Sequence, residues 1–155
     1  MEITIDGLKI EYTDTGSTLP PVLLLHGWGS SFDVYKGIIN ALSDRCRLIA
    51  LNFPGCGNSD TMAEPWTVDD YCQLVLKFLN ALEIENPILF GHSHGGRVIM
   101  KLVGSKLLNP PKIVFLDAAG LIPKKSFKQR FRAFGFNPRH RIAKRLFRGR
   151  SNIFF

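Results

Sequence analysis

A serine with glycine two residues away on either side can act as a nucleophile when a strand precedes it and a helix follows. Residues Gly91-His92-Ser93-His94-Gly95-Gly96 have this arrangement. The apolar run Pro87-Ile88-Leu89-Phe90 comes before them, and a helical pattern from Arg97 to Leu108 comes after. Such a serine sits at the tip of a sharp turn, in a strained backbone conformation that holds its hydroxyl clear of the sheet. Side chains at positions 91 and 95 would collide with the crossing strand and helix. The chemistry this permits is attack on a carbonyl carbon by a hydroxyl that a neighbouring base has activated.

Two further segments carry matching chemistry. Pro21-Val22-Leu23-Leu24-Leu25 reads as a buried strand, and His26-Gly27-Trp28-Gly29 follows at once. A tight glycine loop after a central strand can aim a backbone N–H at a developing oxyanion. Asn52-Phe53-Pro54-Gly55-Cys56-Gly57-Asn58-Ser59 follows the strand Leu48-Ile49-Ala50-Leu51. Together, in this order, the three segments resemble the alpha/beta-hydrolase superfamily, particularly its esterase-like branch, over roughly the first 120 residues. That branch shows a His-Gly-x-Gly loop, an Asp-x-Pro-Gly-x-Gly-x-Ser loop and a Gly-x-Ser-x-Gly elbow. Asn52 stands where the family usually has Asp, at a position expected to support the loop rather than the chemistry.

The resemblance implies a set of roles. Ser93 would be the nucleophile, and the backbone N–H groups of Trp28 and His94 would hold the oxyanion. The His94 side chain would point away from Ser93. His26 and Gly27 would lie at the substrate, with the His26 ring supporting the loop. The substrate would be a small molecule, foremost a carboxylic ester. Neither a cofactor nor a metal is implied.

The elements that position these residues follow from hydrophobic period. Met1–Asp6 and Lys9–Thr13 read as a hairpin turning at Asp6-Gly7. Phe32 to Leu42 has helical spacing, with Phe32, Tyr35, Ile38, Ile39 and Leu42 on one face. Thr67 to Leu82 reads as a helix with Thr67 as N-cap and Asp69 and Asp70 in its first turn. Lys112 to Leu116 is a further strand, ending at Asp117. From residue 21 onward strand and helix alternate, which predicts an α/β fold: a mostly parallel sheet flanked by helices. Chemistry in such sheets collects at the C-terminal ends of strands. His26, Asn52, Ser93 and Asp117 all fall at such ends.

Composition narrows the class. The 155 residues are 45% apolar, which suits a globular domain with a real core. No run of about 18 apolar residues occurs, so no membrane span is expected. Cys46, Cys56 and Cys72 are odd in number and lack metal-ligand spacing, which reads as reduced thiols in a cytoplasmic protein. No glycine loop has dinucleotide or P-loop spacing. The net charge of +7 is unevenly placed. Residues 1–123 hold 9 Lys+Arg and all 13 Asp+Glu, whereas residues 124–155 hold 11 Lys+Arg and no acid. The basic segment mixes its charges with Phe127, Phe131, Phe134, Ile142, Leu146 and Phe147 at spacings of three and four. It reads as amphipathic helices, the start of a cap over the site. A nucleic-acid or anionic-membrane partner is the less favoured reading of that segment. Nothing in the sequence sets an oligomeric state.

One part of the chemistry is missing. A serine hydrolase needs a histidine base and an acid that orients it. In the resembled family these come after the nucleophile, following the seventh and eighth strands. Here His140 is the one histidine beyond His94, and it lies in the basic segment. Asp117 is the only acid at a strand end after Ser93. The expectation is therefore an incomplete hydrolase core over residues 1–123, truncated after about the sixth strand, with residues 124–155 as a basic helical segment. The alternative is a catalytically inactive hydrolase-fold fragment, or a small-molecule-binding protein of the same fold.

Overall fold

The chain begins with a tight hairpin because Asp6 and Gly7 both take left-handed backbone angles, φ 51° and 81°. Two positive-φ residues at the turn match the right-handed twist of the flanking strands. They join β1 (Glu2–Ile5) to β2 (Leu8–Asp14), with Ile5 opposite Leu8. The structure is a computed structural model and describes residues 1–121. The expected basic helices of residues 124–155, the start of a cap, and His140 lie outside the described residues.

After the hairpin come β3 (Pro21–Leu25), a 3-10 turn (Phe32–Tyr35), α1 (Lys36–Leu42), β4 (Arg47–Leu51) and α2 (Val68–Ala81). Then follow β5 (Ile88–His92), α3 (His94–Gly104) and β6 (Ile113–Leu116). The strands form one sheet in the order β1-β2-β4-β3-β5-β6. β2 meets β4 antiparallel, while β4, β3, β5 and β6 run parallel. This is an alpha/beta-hydrolase fold core in its strand direction and helix placement.

The apolar runs of β3 and β4 are buried on both faces. Leu23, Leu25, Ile49 and Leu51 pack beneath α2 and α3, against Val75, Phe78, Val98, Ile99 and Leu102. Val22, Leu24, Leu48 and Ala50 pack on the opposite face with Tyr35. A strand buried on both sides needs no polar alternation, which is why these segments read as continuous apolar runs.

Two elements differ from the sequence expectation. Phe32–Leu42 is a 3-10 turn followed by a helix, not one helix. Asn52 Oδ1 accepts the Phe32 N–H at 2.7 Å, and the Tyr35 hydroxyl donates to the Leu25 carbonyl at 2.8 Å. Both contacts pull the first turn onto the sheet and tighten it. The helix after the elbow begins at His94 and ends at Gly104, because Lys106 adopts φ 58° and turns the chain back. α2 runs as expected from the Thr67 cap, where Asp70 accepts the Thr67 N–H and hydroxyl at 2.7 Å each. β6 is the outermost strand of the described sheet, and its four residues stay 36 to 50% exposed. No helix among the described residues is long and apolar enough to cross a membrane.

Candidate active site

Ser93 belongs neither to β5 nor to α3. It occupies the single residue between them, with φ 47° and ψ −108°. A side chain at positive φ is strained, and non-glycine residues keep that conformation only where their surroundings enforce it. Here the enforcement comes from three hydrogen bonds. The Ser93 N–H donates to the Leu116 carbonyl at 3.2 Å, and the Ser93 carbonyl accepts from Arg97 N–H at 3.2 Å and Ala119 N–H at 2.9 Å.

The glycines around it are required by close approach. A Cβ on Gly91 would lie 2.6 Å from Ile99 Cδ1 and 2.7 Å from the Gly96 nitrogen. A Cβ on Gly95 would land on the Leu25 carbonyl, where the start of α3 crosses the end of β3. Gly96 faces the Ala118 methyl in the same way. Its role was not foreseen from sequence; the second glycine of the doublet was the available signal.

The His26-Gly27-Trp28-Gly29 loop runs beside the nucleophile. A Cβ on Gly27 would sit 2.9 Å from His92 Nδ1 and 3.2 Å from Ser93 Cβ. The His26 carbonyl accepts the Gly95 N–H at 3.0 Å, tying the loop to the first turn of α3. The N–H groups of Trp28 and His94 have no acceptor among the described residues. Two such donors beside a serine can hold a developing negative charge on oxygen.

His26 and Gly27 both line a cavity between the two loops, yet the His26 ring is 0% exposed and both its nitrogens are engaged. Nδ1 donates to the Gly27 carbonyl at 2.7 Å, and Nε2 accepts the Phe53 N–H at 3.0 Å. A buried imidazole must satisfy both nitrogens, so the ring clamps the β3 and β4 loops together and leaves none free for substrate. Burial, joined by the nearby His94 and His92 rings, lowers its pKa.

That shift predicts a pH dependence. Above about pH 6.5 the folded and unfolded chains both hold His26 neutral. Below it the unfolded chain takes up a proton that the folded chain refuses, so stability falls as pH drops toward the folded pKa. His94 adds to the effect, its pKa lowered by burial and then by the charge of Arg97. The urea midpoint should therefore decline between about pH 7 and about pH 5. A flat midpoint across that window would contradict the burial of these two rings.

Asn52 holds the next loop. Its Oδ1 accepts from Phe32, its Nδ2 donates to Glu11 Oε2 at 2.7 Å, and its carbonyl accepts the Ser59 hydroxyl at 2.9 Å. The Glu11 carboxylate also accepts the Asn58 backbone and side-chain N–H groups at 2.8 Å each. Those donations from Asn58, the backbone one foremost, lower the Glu11 pKa. An aspartate at 52 would face a charged carboxylate, and the amide removes that repulsion while supplying a donor.

Two cavities share Trp28, Tyr71 and His94 in their walls, and Ser93 lines one of them. The smaller, about 170 Å³, lies between the His26 and Asn52 loops and includes Trp28, Phe53, Cys56, Met62 and Tyr71 in its walls. The larger, about 430 Å³, is lined by Ser93 itself with Trp28, Trp66, Tyr71, His94 and Arg97. The His94 ring stands edge-on to Tyr71, Trp28 and Phe53, with centroids at 4.8, 5.5 and 5.7 Å. Its Nε2 is the one buried side-chain N or O atom without a partner among the described residues. Burial raises the Cys56 pKa, so that thiol stays protonated and is a poor rival nucleophile. Trp66 and Tyr71 were missed from sequence, because helical and loop aromatics read equally well as core.

The structure does not bring every candidate together. Asp117 follows β6 at φ 45°, is exposed, and lines neither cavity. Its carboxylate has no hydrogen bond to another described residue. Ser93 Oγ likewise has no hydrogen bond to any described histidine. Among the described residues no group of three His, Cys, Asp or Glu could hold a metal ion.

The sequence family model described as the alpha/beta hydrolase fold matches residues 20–139. The chain belongs to this family. It is similar to the dihydrolipoyllysine-residue acetyltransferase component of an acetoin cleaving system from Cupriavidus necator. The two are 31% identical over 98 residues, 63% of this chain and 26% of that protein. A 2-heptyl-3-hydroxy-4-quinolone dioxygenase from Rhodococcus erythropolis is 29% identical over 119 residues, covering 74% of this chain and 44% of the relative. In structure it resembles an esterase from Exiguobacterium antarcticum with TM-score 0.68 and 30% identity, over 75% of this chain and 44% of the esterase. The chain thus spans less than half the length of these relatives.

Proposed function

We propose that the whole protein is a serine hydrolase acting on small carboxylic esters through an acyl-enzyme. The observation that carries the reading is Ser93, held at positive φ between β5 and α3 with two unengaged N–H donors beside it. Ser93 Oγ attacks the ester carbonyl carbon. The N–H groups of Trp28 and His94 receive the oxyanion, a contribution of about 3 kcal/mol per donor. The C–O bond to the alcohol then breaks, the alcohol leaves with a proton, and water cleaves the acyl-enzyme to release the acid and restore Ser93. His26 and Gly27 shape the loop that aims Trp28. The three free cysteines fit a cytoplasmic protein.

The base and the acid are assigned to no described residue. Both His26 nitrogens are occupied, and Asp117 stands apart from the cavities. The 155 residues alone are therefore expected to turn over esters poorly, since an unassisted serine hydroxyl stays protonated at neutral pH. The test is a fluorophosphonate label followed by peptide mass spectrometry, with ester turnover measured alongside. Labelling of Ser93 in the whole protein, with little turnover by the 155-residue chain, is the expected result. A label that spares Ser93 in an active whole protein overturns the nucleophile assignment. Robust turnover by the 155-residue chain, abolished by Ser93→Ala, overturns the absence of a base and makes His140 and Asp117 the residues to mutate next.

A further inference from the structure

Arg97 has no explanation in the fold. It lies on α3 one turn beyond Ser93, exposed, within the first turns of the helix. The N-terminal end of a helix carries partial positive charge and favours acids, yet the first turn of α3 holds none and a cation follows it. No carboxylate of a described residue pairs with Arg97. The acids opposite, in the first turn of α2, are already engaged. Asp69 pairs with Lys101 at 3.0 Å, and Asp70 accepts from Thr67.

The side chain of Arg97 instead lines the larger cavity together with Ser93. Among the described residues it is the only charged one in those walls, and no described acid lines either cavity. Aromatic rings line the same cavity. Trp66 and Tyr71 meet edge-to-face at 5.2 Å, and Trp28 and Tyr71 at 6.4 Å. Burial and then the Arg97 charge lower the His94 pKa, which disfavours a second cation beside Arg97. A planar guanidinium with free donors recognises a carboxylate through two parallel hydrogen bonds. The aromatic faces accept an apolar body.

We propose that the larger cavity is an anion subsite in which Arg97 binds a carboxylate of the substrate, so that the enzyme selects esters carrying a free carboxylate on an apolar or aromatic body. The proposal rests on Ser93 being the nucleophile only for the word enzyme; the subsite itself stands on Arg97 and the aromatic wall. Hydrolysis at Ser93 then breaks the acyl C–O bond, adds one water, and releases an acid and an alcohol, with the carboxylate on Arg97 unchanged.

Phenylacetate and its neutral isostere phenylacetamide test this directly. Each is titrated into the 155-residue chain while the indole N–H signals of Trp28 and Trp66 are followed by NMR. Phenylacetate should bind about tenfold more tightly than the amide. Arg97→Gln should reduce that preference to about twofold or less, Arg97→Lys should retain part of it, and Ser93→Ala should leave it intact. Added salt should weaken the acid and not the amide. Equal binding of acid and amide, binding of neither, or a preference that survives Arg97→Gln overturns the proposal. Fluorophosphonate labelling separates the two readings. A preference that depends on Arg97 in a protein whose Ser93 resists the label keeps the subsite and removes the hydrolase, and a labelled Ser93 with no preference does the reverse.

Discussion

Replacing Ser93 by alanine is expected to lower ester turnover by the whole protein by about 10⁴-fold or more, leaving only what the two N–H donors and binding contribute. The same position carries a stability signature that does not depend on knowing the substrate. Ser93 sits at φ 47° and ψ −108°, where a Cβ is unfavourable. Alanine keeps the Cβ and hence the strain. Glycine removes it, so Ser93→Gly should be more stable than Ser93→Ala by about 1 kcal/mol, after the greater freedom of glycine in the unfolded chain is offset. Urea unfolding of the 155-residue variants measures the difference. Activity and stability then move in opposite directions at one residue, as expected when strain is kept for function. Retained turnover in Ser93→Ala would remove the nucleophile role, and equal midpoints for the two variants would remove the strain.

Much of this site was legible in the sequence because its signals are local. The Gly91–Gly96 run, the His26–Gly29 loop and the Asp6-Gly7 turn each encode a backbone conformation within a few residues. Strand ends were legible too, since apolar runs stop where the chain leaves the sheet, and His26, Asn52, Ser93 and Asp117 each follow their strand directly. What escaped depends on partners far along the chain. Asn52 pairs with Glu11 across 41 positions, and His26 reaches the Phe53 N–H across 27. Neither partner leaves a mark near the other, so the loop-supporting role expected of the His26 ring came without the Phe53 N–H that it holds. The Phe32–Tyr35 turn escaped for the same reason, being tightened by contacts to Asn52 and Leu25 that periodicity cannot show.

The largest loss of stability is expected from Gly95→Ala. Its Cβ would meet the carbonyl oxygen and carbon of Leu25 and lie 2.8 Å from Leu25 Cβ. Two of these three atoms are main chain in the middle of the sheet, so no side-chain rotation relieves the clash. Relief requires α3 to lift from β3, which also stretches the 3.0 Å bond from Gly95 N–H to the His26 carbonyl and leaves buried groups unpaired. Overpacking and a lost buried hydrogen bond together cost about 3 kcal/mol or more, a large share of the 5–15 kcal/mol that holds a typical domain folded. Gly37→Ala is the matched control. Gly37 is also helical, in α1, but a Cβ there meets nothing within 4 Å. That substitution should stabilise by about 0.5–1 kcal/mol, because alanine is the better helix former and restricts the unfolded chain. The same chemical change is thus expected to act with opposite sign in two helices. Urea midpoints that shift alike for both variants would show that the approach of α3 to β3 is not what requires a glycine at position 95.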